Sequence, residues 1–104
     1  MLNVAFLWHH HQPFYKDLLT GVSRLPWVRL HGIKDYYGMA ALVDEFPEVR
    51  VTFNLVPSLL TQIDDYARGQ MVDRNQVLST RRAEDLEENE VEFAIGRKNV
   101  ELYH

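Results

Sequence analysis

The residues best suited to chemistry come early, in the run Trp8-His9-His10-His11-Gln12-Pro13-Phe14-Tyr15. Imidazoles and amides donate and accept hydrogen bonds, and exposed aromatic rings stack on the C–H faces of sugar rings. A cluster of His9, His11 and Gln12 beside aromatic side chains therefore suits a carbohydrate. Asn54 offers a second amide, and Trp8 and Trp27 offer the largest rings. A structural alternative is that the histidines only satisfy backbone groups at a strand end. The spacing His9-x-His11 would also suit two ligands of a divalent metal in a metal-dependent hydrolase. A full site of that kind needs a further histidine or carboxylate, and no clear candidate follows, so neither metal nor cofactor is expected. Trp27 either stacks on a substrate or caps the core, and His31, at a helix start, reads as structural. Asp35, Asp44, Glu45 and Glu48 are explained by a solvated helix face or helix ends. No glycine-rich phosphate loop and no nucleophile-elbow serine is present.

These residues need elements to position them. Residues 2–8 are almost wholly apolar and rich in strand formers, which predicts a strand buried on both faces. Pro13 ends it, because proline cannot donate to a ladder and restricts Gln12. Residues 14–30 read as a long loop broken by Gly21 and Pro26, and long loops in compact domains are more often functional than not. Leu30, Ile33, Tyr36, Tyr37, Ala40 and Ala41 recur at helical spacing, which predicts a helix over 31–45. Residues 49–53 alternate and are β-branched, so they read as a second strand that Asn54 ends. Pro57 opens a second helix whose buried face is Leu59, Leu60, Ile63, Tyr66 and Ala67, and Gly69 stops it. Strand, helix, strand, helix implies parallel strands with a right-handed crossover, the α/β class. Two strands that both read as buried ask for neighbours, and the edge they leave is a template for self-association. Residues 1–69 form this α/β segment. Residues 70–104 read as a polar, helical extension, with a diffuse stripe of Leu86, Phe93 and Val100 over 83–103.

Composition excludes more than it assigns. The chain has 104 residues, enough for one modest core but far short of the roughly 250 of a complete α/β barrel. Eleven basic and fifteen acidic residues leave a formal charge of −4, the wrong sign for a general nucleic-acid binder. Cysteine is absent, which removes disulfides, thiolate metal sites and a cysteine nucleophile. The apolar start is too short for a membrane span and lacks the basic lead of a signal peptide, so a cytoplasmic protein without a membrane partner is expected. Ten of the twelve aromatic residues lie between Phe6 and Tyr66, whereas six acidic residues crowd between Glu84 and Glu92.

The histidine run resembles the His-x-His-Gln-Pro signature at the first strand of glycoside hydrolase family 57. The resemblance continues through Leu25-Pro26-Trp27-Val28-Arg29-Leu30-His31-Gly32-Ile33-Lys34-Asp35-Tyr36-Tyr37. It continues again through Val51-Thr52-Phe53-Asn54-Leu55-Val56-Pro57-Ser58-Leu59-Leu60. The family contains α-amylases, 4-α-glucanotransferases, branching enzymes and amylopullulanases. It implies the N-terminal β/α units of an incomplete (β/α)7 barrel and a substrate that is an α-glucan or maltooligosaccharide. His9 and His11 would line the subsite of the scissile sugar, with Gln12 supporting them, Asn54 shaping the pocket and Trp27 over the substrate. Retaining hydrolysis or transfer needs a carboxylate nucleophile and an acid/base about 5–5.5 Å apart. The family carries these as a glutamate and an aspartate on later strands, so no catalytic residue is assigned here and the chain alone is expected to be inactive. The alternatives are a non-enzymatic remnant or oligomerising fragment, and the metal-dependent hydrolase. Where some members place a glutamate shortly after the Leu-Leu pair, this sequence has Thr61-Gln62. Beyond Gly69 the match fades, although residues 80–86 remain family-like.

Overall fold

The computed structural model describes residues 1–94 and residue 96. The chain forms two small parallel strand pairs joined by helices. The first pair is β1 (Leu7–His10) with β3 (Thr52–Leu55), in the register Leu7 to Thr52, Trp8 to Phe53, His9 to Asn54 and His10 to Leu55. The second is β2 (Val22–Ser23) with β4 (Val72–Asp73). Helix α1 (Trp27–His31) runs through a π-helical turn (Gly32–Tyr36) into α2 (Tyr37–Asp44), and the joining residues all stay in the right-handed helical region. Helix α3 (Pro57–Ala67) follows β3. Then come α4 (Arg74–Ser79), a 3-10 turn (Ala83–Asp85) and α5 (Glu88–Ala94). Among the described residues, no helix is long and apolar enough to cross a membrane.

The parallel strands, the intervening helices and the α3 span agree with expectation. Pro57 occupies the first turn of α3, and Gly69, just past its end, takes φ +68°, a conformation open to glycine without strain. Five readings need correction. The strands lie later than predicted, at residues 7–10 and 52–55, because each exists only where it finds the other. His9, His10 and Asn54 therefore sit inside strands and not past their ends. The strands are not buried on both faces either, since Leu7 is 61% and Leu55 47% exposed and, among the described residues, the pair has no further neighbour. The loop expected over 14–30 contains β2 and the start of α1 at Trp27, four residues before His31. The buried face of α3 is Leu59 and Gln62, whereas Leu60 is 46% exposed. In the extension, the single predicted helix is broken into shorter pieces after β4. The part of it that contains Val100 lies outside the described residues.

The core is small and partly ionic. Val28, Leu59, Met71, Leu78 and Phe93 are its buried apolar members. The Arg74 guanidinium lies 4.2 Å from the centre of the Phe93 ring and joins α4 to α5. Asp73 is 1% exposed and gathers three elements. It accepts two hydrogen bonds from Arg29 on α1, at 2.7 and 3.2 Å, and one from the Tyr66 hydroxyl on α3, at 3.0 Å. The Gln76 backbone N–H adds a fourth at 2.8 Å, so Asp73 also caps α4. Burial alone would raise the Asp73 carboxyl. The bonds from Arg29, Gln76 and Tyr66 outweigh it and hold the group below the usual carboxylate range. Burial, followed by the effect of this carboxylate, pushes the Tyr66 hydroxyl up to about 12.

Asp73→Asn is expected to destabilise the fold by about 3 kcal/mol, because Arg29 loses its charged partner while staying largely covered. The contribution of Asp73 is fully present above its unfolded value of about 4 and is lost as pH falls through its lower folded value. Thermal melts of the two proteins between pH 7 and pH 2 check both points. The gap between their midpoints should close at the acid end, and a constant gap contradicts the assignment.

Candidate functional site

Successive strand side chains point to opposite faces, and this rule divides the histidine run. His9 and its register partner Asn54 are both exposed on one face. The His11 ring stacks on the His9 ring, with centroids 5.7 Å apart and planes inclined by 22°. His10 turns the other way and is 6% exposed. Its ring lies 4.5 Å from Tyr36 and 5.2 Å from Phe53, and Phe53 in turn meets Trp8 edge-on at 5.2 Å. The buried Nε2 of His10 has no hydrogen-bond partner among the described residues.

The backbone after the histidines is held by one polar stripe of α3. Ser58, Gln62 and Asp65 recur at helical spacing and all face this loop. The Ser58 hydroxyl donates to the Gln12 carbonyl at 2.8 Å. The Gln62 amide nitrogen donates to the carbonyls of Pro13 and Ser58, both at 2.8 Å, and its oxygen accepts from the Tyr15 N–H at 2.7 Å. Two carbonyls on one side and an N–H on the other leave a single sensible orientation for that amide. Asp65 pairs with Lys16 at 2.8 Å.

The side chain of Gln12 is held separately. Its amide nitrogen donates to the Tyr36 hydroxyl at 3.0 Å, and its oxygen accepts from the Tyr15 hydroxyl at 3.2 Å. The Tyr36 hydroxyl donates onward to the His11 carbonyl at 3.4 Å. Tyr36 closes the π-helical turn, where the extra residue changes the angular position of everything after it. Straight α-helical spacing treats Tyr36 as one more apolar contact, yet its hydroxyl is part of the site.

The structure thus brings His9, His11 and Asn54 together on the open face, with Gln12 fixed beside them. Trp8 lies on the opposite face of β1. Trp27 lies on α1, with its ring 6.0 Å from His31. Sequence reasoning missed Tyr36, Ser58 and Gln62. The available signal was the polar spacing along α3, which looks like a solvated face until the loop is seen to cover it. Several described carboxylates are held in ion pairs. Asp73 holds Arg29, Asp65 holds Lys16, Asp64 holds Arg68 and Asp35 holds His31. Among the described residues, no three histidines or carboxylates are grouped to hold a metal ion.

Comparison with known proteins gives one result. The sequence profile described as Glycosyl hydrolase family 57 matches residues 5–101. No curated protein and no solved structure matches the chain.

Gln62→Glu tests the clamp. An ionised carboxylate at this buried position has no proton for the Pro13 and Ser58 carbonyls, so a loss of about 2–4 kcal/mol is expected at neutral pH. Burial raises the introduced carboxyl above its unfolded value, so stability returns as pH falls and is lost as pH rises through the folded value. Urea unfolding at pH 4 and pH 7 reads the effect. Amide exchange at Tyr15 should also quicken in the variant at pH 7, and unchanged protection there means the clamp does not hold the loop.

Proposed function

Because the chain belongs to glycosyl hydrolase family 57, we propose that it carries the sugar-binding edge of a site acting on α-glucans. The observation that supports this best is the joint presentation of His9, His11 and Asn54 on the open face of the strand pair, with stacked imidazoles. Neutral imidazole and amide groups match sugar hydroxyls, which both donate and accept. His9 and His11 hydrogen-bond hydroxyls next to the bond to be cleaved, and Asn54 shapes the pocket beside them. Gln12 braces the loop through Tyr15 and Tyr36, Trp8 backs the strand, and Trp27 approaches from α1.

Retaining hydrolysis or glucanosyl transfer needs two carboxyl groups about 5–5.5 Å apart across the glycosidic bond. The resemblance places those two groups on later strands, and no carboxylate of these 104 residues is assigned to either role. The activity proposed for these 104 residues is therefore binding without turnover, as the binding part of an α-amylase or glucanotransferase type of site. A cytoplasmic location belongs to the same proposal.

Calorimetric titration with maltotriose or maltoheptaose should show binding that falls at least tenfold in His11→Ala. The purified chain should release no more reducing sugar from starch than that variant does. Absence of binding overturns the carbohydrate reading, and release above the variant overturns the claim that the chain does not turn over.

A second reading has its own observation, the exposed Leu7 and Leu55 on a strand pair without further neighbours among the described residues. Such an edge pairs with another chain. Sedimentation at increasing concentration should then show a growing mass, and a monodisperse monomer with a sharp thermal transition excludes it.

A further inference from the structure

His31 and Asp35 stand one helical turn apart and meet on the surface of the helix. Nδ1 of His31 lies 2.5 Å from Oδ2 of Asp35, and the two side chains are 41% and 36% exposed. The Lys34 ammonium sits 3.2 Å from the other carboxylate oxygen. The hydrogen bond from His31, and after it that from Lys34, holds the Asp35 carboxyl below the usual range. An ionised carboxylate only accepts, so it places the ring proton of a neutral His31 on Nδ1 and leaves Nε2 as an oriented acceptor.

The surroundings of the pair favour a sugar. A groove of about 350 Å³ is lined by Trp27, Leu30, His31, Ile33, Lys34 and Asp35. It offers one large aromatic ring, a hydroxyl acceptor and a cationic donor. From His31 a chain of contacts leads through Tyr36 to Gln12. His31 lies 6.2 Å from the Tyr36 ring, and the Tyr36 hydroxyl carries the Gln12 amide. A saccharide chain crossing from Gln12 toward Trp27 would meet His31 on the way.

We propose that Trp27, His31 and Asp35 form a second sugar subsite on the far side of Tyr36 from Gln12, in which Nε2 of His31 accepts a hydrogen bond from a pyranose hydroxyl of a neighbouring glucose unit. Asp35 is a positioning residue, because it sets which nitrogen of His31 faces the sugar. Trp27 supplies the stacking face and Lys34 a donor to a ring or hydroxyl oxygen. This inference rests on the carbohydrate reading and adds to it a place for the next unit of the chain.

Histidine ring-nitrogen NMR on the full chain tests it, with maltotriose as the probe. Before addition, His31 should show the Nδ1–H tautomer, and the opposite tautomer overturns the dyad. On titration, the His31 Nε2 signal should shift along the same isotherm as His9 and His11. Shifts at His9 and His11 with none at His31 overturn the second subsite and leave the carbohydrate reading standing. No shift at any histidine overturns both. Asp35→Ala, which removes the acceptor altogether, should weaken maltotriose about tenfold, the scale of one hydrogen bond to a charged or polarised group. It should also move the His31 ring proton from Nδ1 to Nε2. Unchanged affinity in a variant that shows the changed tautomer removes Asp35 from the proposal.

Discussion

The side chain of Gln62 is fully buried and still makes three hydrogen bonds, two of them to the backbone of the loop that follows β1. A buried amide without partners is costly, and so is a buried loop carbonyl or N–H. Each therefore stabilises the other, and the loop between Gln12 and Lys16 has little freedom to leave α3. Ser58 and Asp65 extend the same contact by one turn in each direction. The position of the histidine strand end relative to α3 follows from this stripe, and the orientations of His11 and Gln12 follow from that position.

The other side of the loop is held by rings. From Trp27 through His31, Tyr36, His10 and Phe53 to Trp8, successive centroids lie 4.5 to 6.2 Å apart. The π-helical turn makes this run continuous, because it presents Tyr36 to His10 and Gln12 while the helix goes on into α2. Asp73 performs the corresponding task for the second strand pair, drawing α1, α3 and α4 onto one carboxylate. The molecule is organised less by a large apolar core than by two buried polar groups, each fully engaged. Its apolar strand residues Leu7 and Leu55 remain partly open.

Much of this was legible in the residues. Apolar and β-branched runs located two parallel strands, and Pro57 and Gly69 marked the ends of α3. The ordered blocks around His9, Trp27 and Asn54 pointed to the family whose profile covers residues 5–101. Strand limits were less legible, because hydropathy counts side chains while a strand needs a hydrogen-bonded neighbour. Residues 2–5 have the composition of a strand but no strand partner among the described residues, whereas the polar His9 and His10 have one in Asn54 and Leu55. The two-residue strands β2 and β4 are too short for any periodicity to appear.

By itself the sequence determined the chemistry on offer: imidazoles, amides and aromatic rings at strand ends of an α/β chain, and no thiol. It determined the family too, since residue types in order are what a family signature records. Only the tertiary structure decided which of these groups act together. It placed His9 and His11 on one face and buried His10 on the other, because side chains alternate along a strand. It brought Tyr36 into the site through a change of helical phase, and it turned Gln62 from a surface residue into the anchor of the loop. Those outcomes depend on contacts between residues 24 to 49 positions apart, distances over which local spacing carries no information.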